Sequence, residues 1–137
     1  MRFQKTSEYA IRVMVFLANN RAEQYSANRL HKILKIPYKY LGRLMHTLAQ
    51  AGFLEVIMGN KGGYKINDQR PPIYLYEIIG VIEGLDSYNR CVLGFDECSD
   101  ENPCTLHKYW TKQQESLKDM IYNINLQDLE GGLNIKY

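Results

Sequence analysis

The chain has 137 residues, which is enough for one compact domain with an added element and too few for two full-sized domains. Its 45% hydrophobic and 23% charged residues are ordinary for a globular protein. It contains no apolar run of the roughly 18 to 20 residues that a membrane span needs. The first residues lack the apolar stretch and cleavage site of a signal peptide. We therefore expect a cytoplasmic protein that does not bind membranes.

Positive and negative charges are segregated along the chain. Residues 1–72 hold 12 Lys and Arg against 4 Asp and Glu, a net charge of +8. Residues 73–137 hold 5 against 11, a net charge of −6, so the whole chain carries +2. A basic half joined to an acidic half favours a domain that binds a polyanion next to a segment with another task.

Apolar spacing predicts three helices in the basic half. The first covers residues 9–18, with Ser7 as its cap, and Ser26 caps the second. The third runs from about residue 37 to residue 51, and Gly52 ends it in a left-handed conformation. The expected inner faces are Ala27, Leu30, Ile33 and Leu34 in the second helix and Leu41, Leu44, Met45 and Leu48 in the third. Two helices joined by a tight turn, the second polar and basic at its start, indicate a helix-turn-helix.

A hairpin follows the third helix. Two strand-like runs, residues 53–58 and 64–67, are joined by Gly59-Asn60-Lys61-Gly62-Gly63. Glycine allows the positive φ values of a hairpin loop, and Lys61 places a charge at its tip. The glycine spacing matches neither phosphate-binding fingerprint. The sequence therefore predicts a mainly α fold, a winged helix-turn-helix with a two-stranded β wing and a long C-terminal helix.

The acidic half is predicted to hold a short helix, an irregular loop and the long helix. The short helix covers residues 75–83 and ends at Gly84, the loop covers residues 85–103, and the long helix starts at about Cys104. The long helix carries an apolar stripe of Leu106, Trp110, Leu117, Met120, Ile121 and Ile124. Such a stripe needs a partner, which is either the first helix or a second copy of the chain.

Five motifs resemble one family over nearly the whole chain. They are Ser7-Glu8-Tyr9-Ala10-Ile11-Arg12, Ile36-Pro37-Tyr38-Lys39-Tyr40-Leu41, residues 48–54, residues 59–64 and residues 78–84. In their order and spacing the chain resembles the Rrf-type winged-helix transcriptional regulators, which include regulators of iron–sulfur status, nitric-oxide response and cysteine metabolism. The resemblance implies a DNA-binding regulator that forms a homodimer, through its long C-terminal helix, on a pseudo-palindromic double-stranded operator. We expect no enzyme, since the sequence shows no nucleophile–base set and no cofactor fingerprint.

The resemblance also implies which residues contact DNA. The major groove would be faced by Tyr38, Lys39, Tyr40 and Arg43, and the minor groove by Asn60 and Lys61 of the wing. Arginine can bond a guanine edge with two hydrogen bonds, whereas lysine suits phosphates, for which Arg2 and Lys5 are further candidates. The alternative for Tyr38 and Tyr40 is that their rings pack on the helix-turn-helix core.

Three cysteines, Cys91, Cys98 and Cys104, lie within 14 residues of one another. An odd cysteine count without an export signal argues against a disulfide framework and favours metal or redox chemistry. Six residues separate the first pair, five separate the second, and His107 follows after two more. This resembles the cluster-binding loop of the family, and three thiolates with one imidazole are a plausible ligand set for a two-iron, two-sulfide (2Fe-2S) cluster.

The fourth ligand and the identity of the metal stay open. His107 stands three residues after Cys104 on the predicted helix, so both side chains could point at one ion. Some relatives use an acidic residue from the partner subunit, and Glu8 stands at the matching place, although a carboxylate in a first helical turn also stabilises the helix dipole without metal. Three Cys and one His also suit zinc, and bare thiols could sense oxidants directly.

We therefore favour a homodimeric repressor in which residues 1–72 bind DNA and residues 73–137 carry the sensing loop, residues 85–104, and the dimerisation helix. Its signal would be iron–sulfur status, redox state or nitric oxide. One alternative is a winged-helix regulator that uses zinc or free thiols and responds to a protein or small molecule. The other is a small redox or cluster-carrier protein whose basic half binds something other than DNA.

Overall fold

A computed structural model describes residues 2–131 and 136–137. The helices are α1 (Lys5–Asn19), α2 (Ala27–Leu34), α3 (Tyr38–Gln50), α4 (Leu75–Ile82) and α5 (His107–Asn123), and the strands are β1 (Leu54–Ile57) and β2 (Gly63–Ile66). Two 3₁₀ turns, Asp86–Asn89 and Leu126–Leu129, flank α5 along the chain. The predicted architecture, mainly helical with a two-stranded hairpin after the third helix, is confirmed. None of the helices in the described residues is long and apolar enough to cross a membrane.

Helix α1 begins earlier than its apolar pattern predicts. It starts at Lys5, and the N-cap position belongs to Gln4, whose backbone amide donates a hydrogen bond to Glu83 at 2.9 Å. The prediction that Ser7 caps the helix is therefore wrong, because the backbone is already helical from Lys5 and Ser7 lies on the side of the helix that packs into the protein. Ser7 lies inside the first turn and is fully buried, and its hydroxyl has no hydrogen-bond partner among the described residues.

Ser7→Ala is expected to raise the free energy of unfolding by about 1 kcal/mol. A buried hydroxyl without a partner costs stability, and alanine is the better helix former. Urea denaturation followed by circular dichroism measures the change. Ser116→Ala, at an exposed position of α5, is the matched control for helix propensity alone. A Ser7 variant less stable than the natural chain would mean that the hydroxyl has a partner in solution.

Helices α2 and α3 form the predicted helix-turn-helix. The Ser26 cap is confirmed, since its Oγ accepts a hydrogen bond from the Arg29 amide at 3.2 Å. Leu30 and Leu34 are buried, but Ile33 is 46% exposed, so its place on the inner face was wrong. The two-turn helix buries only the Leu30–Leu34 row, and Ile33 lies on the solvent side of that row.

Helix α3 matches its prediction closely. The four side chains assigned to its inner face, Leu41, Leu44, Met45 and Leu48, are all buried in the main core. Gly52 follows the helix with a φ of 83°, the left-handed stop that the sequence indicated.

The wing is an antiparallel pair in which Leu54 lies opposite Ile66 and Ile57 opposite Gly63. It is tied to the start of α2 by two backbone hydrogen bonds between Tyr25 and Tyr64, at 2.9 and 2.8 Å. A Cβ atom at Gly63 would lie 2.4 Å from the carbonyl carbon of Tyr25. Only glycine allows the hairpin to approach the helix-turn-helix this closely.

Gly63→Ala is therefore expected to lower the free energy of unfolding by about 2 to 3 kcal/mol, the range for forced overpacking. The added methyl group meets backbone atoms, which cannot rotate out of its way. Urea denaturation gives the value, and Gly42→Ala is the control, because a Cβ there meets nothing within 4 Å. Equal stability of the Gly63 variant and the natural chain would show that the wing can separate from α2 at no cost.

Residues after the wing form a second apolar cluster beside the main core. Helix α4 packs on α1 and α3 with one side and on α5 with the other. The second cluster has Leu75, Ile79, Tyr88 and Ile121 at its centre. Tyr88 lies in the 3₁₀ turn Asp86–Asn89, so the prediction of an irregular loop is wrong for those residues. The turn forms because the Tyr88 ring is buried against the helices.

Helix α5 begins at His107, and not at Cys104 as predicted, because Cys104 still belongs to the loop. Among the residues of α5 only Ile121 is buried. Four large apolar side chains in or beside the helix are exposed, namely Leu106, Tyr109, Met120 and Tyr122. The helix packs on α4 and on the 3₁₀ turn Asp86–Asn89, while most of its length faces solvent.

The chain then returns to α1, which no sequence pattern indicated. Leu126 is buried in the main core, and its amide donates a hydrogen bond to the Ile73 carbonyl at 2.9 Å. Arg21, beyond the end of α1, forms ion pairs with Glu130 and with Asp68. The main apolar core thus contains residues from both halves of the chain.

Candidate DNA-binding surface and cysteine site

The start of α3 presents an exposed polar surface. Tyr38, Lys39, Tyr40 and Arg43 are all exposed, on the side opposite the buried leucines. Tyr38 is 55% and Tyr40 39% exposed, so neither ring belongs to the core. Each has one aromatic neighbour: the Tyr38 ring lies 6.0 Å from the His31 ring, and the Tyr40 ring lies 5.7 Å from the Tyr9 ring.

Basic side chains of this surface keep their charge available. Lys39 lies over the Tyr40 ring at 5.1 Å. Within residues 2–131 and 136–137, no ion pair engages Lys39, Arg43 or Lys61. Exposed cations without an ion pair attract the phosphates of a nucleic acid.

The tip of the wing lies beside the start of α2. Asn60 and Lys61 are exposed there, and the Lys61 carbonyl accepts a hydrogen bond from the Gln24 side chain at 2.9 Å. A cleft of about 390 Å³ separates the wing from α2, and Arg29 lines it together with Asn60 and Lys61. Arg29 was not among the DNA contacts expected from the sequence, and here it pairs with Glu23 at 3.6 Å and lies over the Tyr25 ring at 4.4 Å.

The two candidate phosphate contacts near the N-terminus are both exposed. Arg2 lies before α1, and Lys5 lies in its first turn. Lys5 pairs with Glu8 at 3.3 Å. In this chain Glu8 therefore has the local partner expected of a carboxylate in a first helical turn.

The loop brings the three cysteines together. The sulfur atoms of Cys91, Cys98 and Cys104 all lie within 4.8 Å of one another, and those of Cys91 and Cys104 are 3.6 Å apart. Helix α5 fixes the start of the loop, because the carbonyl of Arg90 accepts hydrogen bonds from Trp110 at 3.3 Å and from Gln114 at 2.8 Å. The Cys104 amide donates to the Cys98 sulfur at 3.4 Å.

His107 joins this cluster through Cys98. Its Nδ1 lies 3.3 Å from the Cys98 sulfur, and its Nε2 lies 2.8 Å from an Asp100 carboxylate oxygen. The sequence had indicated an approach between His107 and Cys104 along one helix, but Cys104 precedes α5. A histidine that ligates a metal usually has a carboxylate or carbonyl partner on its other nitrogen, and Asp100 supplies one here.

The pKa values of Cys91 and Cys98 are shifted in opposite directions. Partial burial raises the pKa of Cys91, but hydrogen bonds from the backbone amides of Phe95 and Leu93, with the Cys104 and Cys98 thiols, outweigh it, so the pKa falls to about 7. At Cys98 the Cys104 amide lowers the pKa, while partial burial and the neighbouring thiols raise it, and the net shift is upward. Thiolate, the form that binds metals and reacts with oxidants, is therefore populated at Cys91 near neutral pH.

Comparison with protein families identifies the chain. A family model described as Rrf2, iron-dependent transcriptional regulator, matches residues 3–131. The chain belongs to the Rrf2 family. It is accordingly a DNA-binding transcriptional regulator and not an enzyme, as the sequence motifs predicted.

Individual relatives agree with this membership. A protein of Aquifex aeolicus described as an HTH-type transcriptional regulator is 28% identical over 131 residues, which cover 94% of this Rrf2 chain and 91% of the relative. The regulator IscR of Escherichia coli is 25% identical over 94% of the chain and 80% of its own length. The structure of CymR, described as the global cysteine regulator of B. subtilis, has the same fold, with a TM-score of 0.74 at 23% identity over 94% of this chain and 95% of that one.

The donor set of this Rrf2 chain fits a metal centre. Three sulfur atoms within 4.8 Å of one another form a possible site for a metal or cluster, with an imidazole nitrogen at their edge. Soft thiolates with one nitrogen ligand suit iron–sulfur clusters and also zinc. Family membership contradicts the alternative of a carrier protein whose basic half binds something other than DNA.

Proposed function

We propose that this Rrf2 regulator is a homodimeric repressor that binds a pseudo-palindromic operator and responds to the state of an iron–sulfur cluster of the 2Fe-2S type. The observation that carries the proposal is the convergence of Cys91, Cys98 and Cys104 within 4.8 Å in a family described as iron-dependent. His107 would be the fourth ligand through Nδ1, and Glu8 of the partner subunit is the alternative fourth ligand. When bound, such a cluster supplies a centre that changes charge or is destroyed on exposure to oxidants or nitric oxide.

The DNA-binding half would dock with α3 in the major groove. Arg43 would read a guanine edge, Lys39 would hold a phosphate, and the two tyrosines would contact bases or sugars. In the wing, Asn60 and Lys61 would enter the minor groove, while Arg2 and Lys5 would contact the backbone. The exposure of these side chains and the free charge of Lys39, Arg43 and Lys61 support this placement.

Dimerisation would use the exposed side of α5. Tyr109 and Met120, eleven residues apart and therefore on the same side of this helix, are exposed although they are large and apolar, and such a surface is typical of protein–protein contacts. To reach two successive major grooves on one side of DNA, the two α3 helices of such a dimer would have to lie about 34 Å apart. Pseudo-palindromic half-sites follow from this symmetry.

The cysteine segment, residues 85–104, would control that spacing. With all four ligands engaged, the segment is held against α5 and α4, so the two DNA-binding halves keep one separation. Without that restraint the segment can move and the separation can change. Useful control needs a difference of about 1 to 3 kcal/mol in operator affinity between the two states, which is roughly 5- to 150-fold.

The test is anaerobic purification followed by measurement of the visible spectrum, iron, acid-labile sulfide, zinc and operator affinity on one sample. We expect iron and sulfide in near-equal amounts, bleaching by air or nitric oxide, and an operator affinity that changes on bleaching. Stoichiometric zinc, or no metal after reconstitution, would contradict the cluster. Equal operator affinity before and after bleaching would contradict the proposal that the cluster controls DNA binding.

A regulator that uses zinc or free thiols is the second candidate. The 3.6 Å separation of the Cys91 and Cys104 sulfur atoms and the lowered pKa of Cys91 favour direct thiol oxidation. The free-thiol form of this candidate predicts unchanged DNA binding in a metal-free protein and an operator affinity that responds to a mild thiol oxidant. The zinc form predicts stoichiometric zinc in place of iron and sulfide.

A further inference from the structure

One carboxylate joins the cysteine segment to the start of the DNA-binding half. Glu83, which follows α4, accepts a hydrogen bond from the Gln4 amide at 2.9 Å and another from the Tyr88 hydroxyl at 2.7 Å, through different oxygens. Gln4 is the N-cap residue of α1, and Tyr88 lies three residues before Cys91. The two contacts bridge segments that are far apart in sequence.

Tyr88, the partner of Glu83 that precedes the cysteines, is held firmly in place. Its side chain is only 2% exposed, and its ring packs on Ile79, Ile121 and the Phe3 ring. Burial and the contact with Glu83 raise the pKa of Tyr88, so the hydroxyl stays protonated and donates. A buried hydroxyl without this acceptor would cost stability, so the hydroxyl and Glu83 move together.

The backbone beside Tyr88 is bound to the helix that borders the cysteines. The Gln114 side chain donates to the Tyr88 carbonyl at 3.2 Å and to the Arg90 carbonyl at 2.8 Å. Trp110 donates to the same Arg90 carbonyl. Arg90 adjoins Cys91 in the chain, so a displacement of Cys91 strains the Arg90 contacts first, and Gln114 links those contacts to Tyr88.

On the other side, Glu83 holds the residue that precedes the first turn of α1. The Gln4 side chain does not cap the first amides of the helix. Glu83 accepts the hydrogen bond of the Gln4 backbone amide itself and so ties the N-cap residue to the end of α4. Arg2 and Lys5, the proposed phosphate contacts, flank Gln4, and Tyr9 in the same helix touches Tyr40 of α3. The first turn of α1 thus borders both groups of proposed DNA contacts.

We propose that Tyr88 and Glu83 are positioning residues that transmit the state of the cysteine segment to the N-terminal arm, residues 2–8. While the segment is held by its ligands, Tyr88 keeps Glu83 against the Gln4 amide and the arm is fixed. When the segment is released, the Glu83 carboxylate shifts away from the Gln4 amide and the arm becomes more mobile. The proposal deepens the proposed function, since it names the path by which the cysteine site would reach the DNA contacts.

Tyr88→Phe tests the path, because it removes one hydroxyl and keeps the buried ring. Hydrogen exchange of residues 2–8 is measured for the natural chain and for the variant, before and after the cysteine segment is released by chelation of its metal. If the chain carries no metal, diamide oxidation of the thiols takes the place of chelation. Tyr122→Phe, an exposed tyrosine of α5, is the matched control.

We expect release to speed exchange in residues 2–8 of the natural chain and of the Tyr122 control by about fivefold or more, the lower end of common coupling between sites. The Tyr88 variant should exchange fast in both states while its metal or thiol content stays normal. Slow exchange in the unreleased variant would overturn the proposal. So would exchange in the natural chain that does not respond to release. Metal analysis of the same samples reports on the proposed function separately, so the two failures are distinguishable.

Discussion

Cys98→Ser is expected to remove the metal centre while leaving the fold and the basal DNA binding in place. Cys98 is the cysteine that lies next to His107: its sulfur is 3.3 Å from His107 Nδ1 and within 4.8 Å of both other thiols. A serine hydroxyl has nearly the same shape but is not the soft thiolate that such centres require. Removing a residue that only hydrogen-bonds to a metal ligand already lowers metal affinity about 10- to 100-fold. Removing a direct ligand should lower the affinity at least as much.

The measurement compares iron, sulfide and operator affinity for the natural chain and the variant under anaerobic conditions. The ratio of operator affinities with and without metal should fall from between about 5 and 150 to 1. Asp96→Asn, an exposed change in the same loop, is the control and should keep both metal and ratio. A Cys98 variant that retains full iron and sulfide would exclude Cys98 as a ligand.

Local signals in the sequence were sufficient for the helix-turn-helix and the wing. The Ser26 cap, the buried quartet of α3 and the glycines around the hairpin each act within a few residues, so spacing alone indicates them. The wrong or missing predictions concern residues whose positions depend on contacts with residues far away in the sequence. Ser7 is buried because α1 starts at Lys5 and packs on α4, and Leu126 reaches the core because the chain turns back after α5. No pattern of neighbouring residues contains that information.

The cysteine site shows the same division. The type and number of its residues indicated metal chemistry, because three cysteines and a histidine in one short loop have few other uses. Which ligands approach each other depends on the path of the loop, and the sequence paired His107 with Cys104 where the structure pairs it with Cys98. Two further features depend on that path. Trp110 and Gln114 donate hydrogen bonds to the Arg90 carbonyl. Asp100 lies beside His107.

Arg43→Ala is expected to weaken operator binding by about 10- to 100-fold and to relax the preference for one base pair in each half-site. The side chain is exposed on α3, has no ion pair within the described residues, and carries the planar group that bonds guanine through two hydrogen bonds. One such interaction is worth about 1 to 3 kcal/mol of discrimination against a wrong base.

Fluorescence anisotropy with operator variants at several salt concentrations separates base reading from simple attraction of charges. Lys112→Ala removes the same charge from the exposed surface of α5 and is the matched control. Lys39→Ala and Lys61→Ala should weaken binding to every DNA sequence alike, and each should lower the slope of log affinity against log salt by about 1, because each removes one cation from a phosphate. If Arg43→Ala behaves like these lysine variants, with an unchanged base preference, Arg43 holds a phosphate and the reading of bases falls to Tyr38 and Tyr40. An Arg43 variant that binds as tightly as the Lys112 control would remove Arg43 from the DNA interface.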